Sequence, residues 1–118
     1  MTPLRNGLYG VHRGMPVRLH RRRGREFLLA DAEDHWVPAA ELQPLQEVRT
    51  LGTAFGDPVQ VLEWSEDEAR VQLFSYQPWT EEYGGTHNWS DATVNVTIPR
   101  AAVKDVHEVV SDYPYARG

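Results

Sequence analysis

The chain has 118 residues, of which 41% are hydrophobic, 25% charged and 10% aromatic, and its formal net charge is −5. This length and composition predict one globular domain or two very small ones packed together, and they argue against disorder over most of the chain. The sequence has no cysteine, which excludes a disulfide scaffold, a thiolate zinc site, an iron–sulfur cluster and a cysteine nucleophile.

The first elements along the chain belong to a pattern that occurs twice. Residues 14–19 (GMPVRL) align with residues 56–61 (GDPVQV), with Gly, Pro and Val in phase. In both copies a charged turn follows, and then a second apolar stretch. Val17 and Leu19 alternate with polar neighbours, which is the period of a half-buried strand. Each copy therefore predicts a hairpin.

The two copies also end alike. Residues 37–48 (VPAAELQPLQEV) align with residues 98–109 (IPRAAVKDVHEV), with apolar residues at five common positions. The proline of each copy, Pro38 or Pro99, suits the first position of a turn, where its missing N–H costs little. Helical spacing follows each proline, so the repeat predicts short strands followed by one helical turn.

The later strands complete an all-β prediction. Ala92, Val94, Val96 and Ile98 alternate with polar residues, as in a strand with one buried face. No glycine-rich phosphate loop follows any strand, so the sequence has no nucleotide-binding fingerprint. The pattern favours small antiparallel sheets over α/β units.

The segment at residues 37–42 (VPAAEL) resembles the closing segment of SH3-like barrels, in which a strand ends at a proline, makes one 3₁₀ turn and enters a last short strand. Residues 8–10 (LYG) are weakly similar to their aromatic opening strand. This resemblance implies two SH3-like barrels in tandem, each closed by a short 3₁₀ or helical turn, over residues 1–50 and 51–118. The chain lacks the acidic first loop and the tandem Trp pair of signalling SH3 domains, so proline-rich peptide binding does not carry over.

The second copy is longer than the first because residues 77–91 (QPWTEEYGGTHNWSD) are inserted before its last strand. Long loops in small domains are commonly functional or disordered, and the aromatic content argues against disorder. Trp and Tyr anchor many protein interfaces, and carboxylates lie beside them here. The insertion therefore predicts a protein-binding loop, whose candidate residues are Trp79, Glu81, Glu82, Tyr83, His87, Trp89 and Asp91.

A structural role for the same loop is equally compatible with the sequence. In this alternative, Trp79 and Trp89 fold back to plug the ends of the barrel, which leaves only residues 81–85 as a solvated turn. The two interpretations do not exclude each other, because one part of the loop can pack while another binds.

Catalytic, metal-binding and cofactor-binding functions are disfavoured. Glu81 and Glu82 are neighbours and rarely face one substrate together, and no motif places a nucleophile near them. His87 and Asp91 have no third ligand, and the glycine pair before them argues against a helix. We therefore expect no enzyme activity, no metal and no cofactor.

The charge distribution supports a protein partner. Residues 1–50 carry eight Arg against six acids, whereas residues 51–118 carry four basic residues against eleven acids. No apolar run spans a membrane and the N-terminus lacks the apolar core of a signal peptide, so we expect a cytoplasmic protein. A small acidic protein of this build, with an elaborated loop, resembles bacterial immunity or antitoxin-type inhibitors, which would block the active site of a toxin enzyme.

A second interpretation uses the basic residues of the first copy. An arginine-rich hairpin beside aromatic rings is typical of contacts to phosphates and stacked bases, although the overall pI of about 5.5 disfavours nucleic acid. This alternative is an adaptor that binds nucleic acid or a short peptide through Tyr9, Arg21, Arg22, Arg23 and Trp36.

Overall fold

Strands dominate the structure, a computed structural model that describes residues 1–30 and 35–113. The predicted all-β class is confirmed. Only α1 (Trp79–Glu82) and two 3₁₀ turns (Ala39–Glu41 and Arg100–Ala102) are helical in this part of the chain. The strands described are β1 (Thr2–Pro3), β2 (Gly7–His12), β3 (Met15–Arg23), β4 (Glu26–Leu29), β5 (Trp36–Pro38), β6 (Gln46–Ala54), β7 (Asp57–Trp64), β8 (Glu68–Leu73), β9 (Thr86–Asn88), β10 (Thr93–Pro99) and β11 (Val103–Asp112).

These strands pair in the order β5-β4-β3-β2-β6-β7-β8-β10-β9, while β1 pairs with β7 and β11 pairs with β6. Contacts within the chain define two compact units. The unit that we call the N-unit contains Asn6–Arg49 and the segment that starts at Val110, and the C-unit contains Met1–Arg5 and Thr50–Val109. The domain extents 1–50 and 51–118, and the SH3-like barrel geometry of each domain, stay predictions.

The N-unit begins with a hairpin of β2 and β3. His12 pairs with Met15, and the two residues between them, Arg13 and Gly14, both have positive φ angles of 52° and 78°. Such turns match the right-handed twist of the strands they join. β3 pairs with β4, and the register of this pairing shifts after Leu19. β4 then pairs with β5, and the first 3₁₀ turn follows Pro38.

The C-unit repeats this order of elements. Phe55 and Gly56, with φ angles of 52° and 85°, form the turn between β6 and β7. The pairing of β7 with β8 shifts after Val61, β8 pairs with β10, and the second 3₁₀ turn follows Pro99. The repeat predicted from the aligned sequences therefore has a counterpart in the order of the strands and turns.

Equivalent backbone contacts accompany the repeated order. The amide of Ala39 donates to the carbonyl of Arg25 at 2.7 Å, and the amide of Arg100 donates to the carbonyl of Asp67 at 2.9 Å. In each unit, a 3₁₀ turn is thereby tied to the tight turn after its second hairpin strand.

A glycine allows a close approach of the backbone in each unit. A Cβ atom on Gly10 would lie 2.8 Å from the carbonyl oxygen of Leu42, and one on Gly52 would lie 2.9 Å from that of Lys104. Both distances are too short for a real side chain, and a backbone carbonyl cannot swing away. The two glycines stand four residues before Gly14 and Gly56, so they are another element of the repeat.

Each unit buries its own apolar core. The alternation of buried and exposed residues along β7, β8 and β10 turns one face of each strand inward. The N-unit core comprises Leu19, Phe27, Leu29, Val37, Ala39, Leu42 and Leu45. The C-unit core comprises Ala54, Val59, Val61, Ala69, Val71, Leu73, Val96 and Ile98. In the described ranges, no helix has the length and apolar character needed to cross a membrane.

Candidate functional site: an aromatic and acidic surface of the C-unit

The insertion at residues 77–91 is folded into a short helix and a strand. α1 begins after Pro78, and the Oγ1 of Thr80 donates to the carbonyl of Gln77 at 2.7 Å. Thr80 is buried, and its carbonyl accepts from the amide of Gly85 at 2.8 Å. β9 then pairs with β10, so the insertion is anchored to the sheet at its middle.

Trp79 is fixed in the structure by a hydrogen bond and by packing. Its indole Nε1 donates to the Oδ2 of Asp57 at 2.8 Å, and its ring lies 4.8 Å from that of Phe55. The side chain is half-buried and packs against the C-unit core. Trp79 therefore matches the structural alternative, in which this part of the loop folds back.

Tyr83 extends the same cluster toward solvent. Its ring stacks on Phe55 with the centroids 5.5 Å apart and the planes at 20°, and it meets Trp79 edge-on at 6.5 Å. Tyr83 remains 39% exposed and Phe55 remains 47% exposed. Trp79 thus holds the rings of Phe55 and Tyr83 in place, and both of these rings stay partly exposed to solvent.

A second group of rings stacks around His87 of β9. The ring of His87 lies between those of Tyr76 and Trp89, with centroid distances of 5.4 Å and 5.0 Å and interplanar angles of 22° and 12°. Side-chain hydrogen bonding to Glu81, followed by desolvation of the phenol and the negative charge of Glu81, raises the pKa of Tyr76.

Trp89 is displayed on a turn that side-chain oxygens hold in shape. The Oδ1 of Asn88 accepts from the amide and hydroxyl of Ser90 at 3.1 Å and 2.7 Å. The Oδ1 of Asp91 accepts from the amide and hydroxyl of Thr93 at 3.1 Å and 2.6 Å. Trp89 is 85% exposed, so it does not fold back as the structural alternative predicted.

We call the exposed rings of Phe55, Tyr76, Tyr83, His87 and Trp89 the aromatic surface. Sequence reasoning identified the last three of these rings and missed the first two. Phe55 belongs to a tight turn and Tyr76 follows the end of β8, and only the folded chain brings them to the insertion. An aromatic residue in a two-residue turn was the available signal for Phe55, because such a side chain points away from the strands.

The carboxylates of the insertion do not all play one role. Glu81 raises the pKa of Tyr76, and one oxygen of Asp91 accepts from Thr93. Glu82 is exposed at the end of α1. The sequence between Phe74 and Thr93 contains no Lys or Arg, so these three charges give the aromatic surface an acidic border.

The basic candidate surface lies in the N-unit. The guanidinium of Arg23 lies 4.2 Å from the ring centroid of Trp36 and 3.5 Å from the carboxylate of Glu26. Arg21 aligns with Leu28, which aligns with Trp36, so Arg21 and Trp36 share one sheet face. The structure therefore brings Arg21, Arg23 and Trp36 together.

The other two residues of that candidate set lie on β3 and β2. Arg22 aligns with Phe27, on the face opposite to Trp36. Tyr9 is half-buried on β2, opposite Arg18. The structure therefore separates Arg22 from the ring of Trp36, and the place of Tyr9 in this surface stays a prediction.

The side chains of the described ranges 1–30 and 35–113 include no group of three His, Asp or Glu that is arranged to hold a metal ion. No protein-family model, curated protein or solved structure matches this chain. The arrangement of aromatic rings and carboxylates is therefore the basis for assigning a function.

Proposed function

We propose that the protein is a non-catalytic protein-binding module that engages its partner through the aromatic surface of the C-unit. The observation that carries this proposal is the exposure of Phe55, Tyr76, Tyr83 and Trp89 in one unit, in or beside an insertion that carries three carboxylates and no Lys or Arg. Exposed rings with an acidic border match the composition of interface anchors.

The rings are ordered in the unbound protein, and this supports binding. Tyr83 is held by Phe55, while Trp89 is held by His87 and by a hydrogen-bonded turn. Side chains that are already fixed lose less conformational entropy on association. A few such anchors commonly dominate an interface, each costing roughly 2 kcal/mol or more when truncated.

The charge of the insertion suggests the kind of partner. Glu81, Glu82 and Asp91 complement a cleft that is rich in Arg and Lys, and charge complementarity speeds association. We propose that the partner is a toxin enzyme with a basic active site and that the protein is a cytoplasmic, bacterial immunity-type inhibitor that covers this site. Tandem SH3-like barrels are the architecture that we propose for its scaffold.

Affinity capture from the native host tests the binding function. Trp89→Ala is the informative bait because Trp89 is 85% exposed, and Met15→Ala, at a residue that is 65% exposed in the N-unit, is the matched control. We expect a stoichiometric protein to be retained by the wild type and by Met15→Ala and to be lost with Trp89→Ala. Equal recovery by all three baits would contradict the proposal.

Inhibition is tested separately on the captured enzyme. One equivalent of the wild type should suppress its activity, whereas Trp89→Ala should require roughly 30-fold more protein if the ring contributes about 2 kcal/mol. Raised salt should slow association. Full activity of the enzyme in the saturated complex would show that the protein binds the enzyme without inhibiting it, and this would overturn the inhibitor role.

The second candidate function is a nucleic-acid or short-peptide adaptor that uses the N-unit. It is favoured by the contact of Arg23 with Trp36 and by Arg21 on the same face. The double variant Arg21→Glu/Arg23→Glu should then abolish recovery of nucleic acid, while Trp89→Ala should retain it. Recovery that is independent of both changes would exclude this candidate.

A further inference from the structure

Arginine already covers two of the four tryptophans of this protein. The guanidinium of Arg100 lies 3.8 Å from the ring centroid of Trp64, and its Nη1 donates to the carbonyl of Ser65 at 3.0 Å. The guanidinium of Arg23 lies over Trp36 and is paired with Glu26. Each guanidinium thus combines a ring face with a nearby oxygen acceptor.

The other two tryptophans differ in what contacts them. Trp79 is engaged by Asp57 and Phe55. Trp89 contacts His87 on one side of its ring, and no cation from residues 1–30 or 35–113 covers it. With 85% of the residue exposed, the ring is an unoccupied stacking surface.

We propose that the exposed face of Trp89 receives the guanidinium of an arginine from the protein partner, with the carboxylate of Asp91 accepting its N–H groups. This inference rests on the proposed function and specifies the chemical group that the aromatic surface recognises. Asp91 stands two residues after Trp89. Only its Oδ1 is used to hold the turn, so its remaining lone pairs can accept from a ligand.

The surroundings favour a cation over the other groups that stack on indole. The C-unit contains ten Asp and Glu against four Arg and Lys, and this field repels the phosphates of a stacked nucleotide. A neutral aromatic ring would stack but carries no positive charge to complement the nearby carboxylate.

Arginine fits better than lysine at this surface. The guanidinium is planar and can lie parallel to the indole while its edge donates to a carboxylate, whereas an ammonium is a compact and strongly hydrated charge. The contacts of Arg23 with Trp36 and of Arg100 with Trp64 show this arrangement within the chain.

The hydrogen-bonded turn strengthens the argument because it fixes Trp89 before binding. Asn88 and Asp91 each close two hydrogen bonds within residues 88–93, and the parallel ring of His87 supports the indole from behind. An arriving arginine therefore meets a ring and an acceptor that are already positioned, and this lowers the entropic cost of contact.

The experiment is a nuclear magnetic resonance titration of the indole N–H signals of the intact protein. The probe is the peptide acetyl-Gly-Arg-Gly-amide, and the controls replace Arg with Lys or with citrulline, which is planar but uncharged. The signal of Trp89, assigned from Trp89→Phe, should shift saturably with the Arg peptide. Its apparent Kd should be about threefold to fivefold lower than with either control peptide. The signal of Trp79 should stay in place because Asp57 holds its N–H.

Matched variants identify the acceptor. Asp91→Asn keeps an oxygen for Thr93 but removes the charge, and it should weaken the Arg peptide about threefold or more while leaving the citrulline peptide unchanged. Glu66→Gln, which neutralises an exposed acid outside the aromatic surface, should have no effect. Equal binding of the Arg and citrulline peptides, equal binding of the Arg and Lys peptides, or no saturable shift of Trp89 would each overturn the proposal.

The result is separable from the proposed function. If the capture experiment yields a protein that depends on Trp89 but the Arg peptide does not bind, the aromatic surface binds its partner without an arginine. If the Arg peptide binds but no protein depends on Trp89, the stacking site stands and the protein-binding function fails.

Discussion

Trp79 and Trp89 belong to the same insertion and have opposite environments. Trp79 donates to Asp57 and packs on the C-unit core, whereas Trp89 stands on a turn with most of its surface in solvent. A substitution at Trp79 therefore reports on folding, and one at Trp89 reports on recognition.

Trp79→Phe should destabilise the protein because it leaves the Asp57 carboxylate without its indole donor. A hydrogen bond to a charged, partly buried acceptor supports a loss of about 1–2 kcal/mol in the free energy of unfolding. Urea denaturation followed by circular dichroism measures this loss. Trp89→Phe is the control and should change stability by less than about 0.5 kcal/mol. Equal stability of both variants would show that the Trp79 contact contributes nothing.

The contact between Tyr76 and Glu81 should be visible in the titration of the phenol. Glu81 favours the neutral phenol and raises the pKa of Tyr76 above its ordinary value of about 10. The contact therefore contributes its full stability below about pH 10, and the contribution is lost as pH rises through the raised pKa.

Glu81→Gln removes the charge and should move the pKa of Tyr76 back toward its ordinary value. The ¹³Cζ chemical shift of Tyr76, followed against pH, measures the change. Glu82→Gln is the control, since Glu81 and not Glu82 raises the pKa of Tyr76. A pKa of Tyr76 that is the same in the wild type and in Glu81→Gln would refute the contact.

At the scale of elements, sequence periodicity predicted the features that depend on local chemistry. Pro38 and Pro99 each precede a 3₁₀ turn, because proline fixes φ and lacks a donor that the first turn leaves unused anyway. Gly14 and Gly56, which the sequence repeat aligns, have positive φ angles in the two hairpin turns. Glycine adopts such angles at little steric cost.

Elements that depend on distant partners were not predicted. β9 has only three residues, all exposed, and it exists because it pairs with β10. α1 is too short to be stable alone and is held by Thr80 and by the Trp79 contact with Asp57, 22 residues away. Local patterns carry no information about such pairings, so the insertion was predicted as a loop.

The candidate site was predictable to a similar degree. The aromatic and acidic composition of residues 77–91 identified Tyr83, His87 and Trp89, but not which Trp would pack and which would be displayed. That distinction depends on Asp57 and Phe55, which lie in the turn at the start of β7. It therefore required the fold.

At the scale of the whole molecule, the N-unit depends on residues from the end of the chain. The amide of Tyr113 donates to the carbonyl of Leu45 at 3.0 Å, and its ring meets Phe27 edge-on at 6.2 Å. Tyr113 also packs against the core that contains Phe27 and Leu42. The C-terminal segment up to this residue is consequently part of the N-unit fold.

Tyr113→Ala should lower the free energy of unfolding by about 2 kcal/mol, because it removes a half-buried ring from an aromatic contact. Hydrogen exchange of the β4 amides should become faster, and a urea midpoint would give the overall loss. Val110→Ala, at an exposed position of β11 three residues before Tyr113, should change stability by less than about 0.5 kcal/mol. Unchanged protection of β4 in Tyr113→Ala would contradict this role.

Each unit combines segments that are far apart in the sequence, and this has a consequence for synthesis. Translation at about 5–20 residues per second makes Asn6–Arg49 several seconds before Tyr113, which packs against their core. In the same way, Thr2 and Pro3 are made well before their pairing partners Trp64 and Glu63. A ribosome that stalls near residue 100 would therefore hold an N-unit whose Phe27 still lacks its contact with Tyr113.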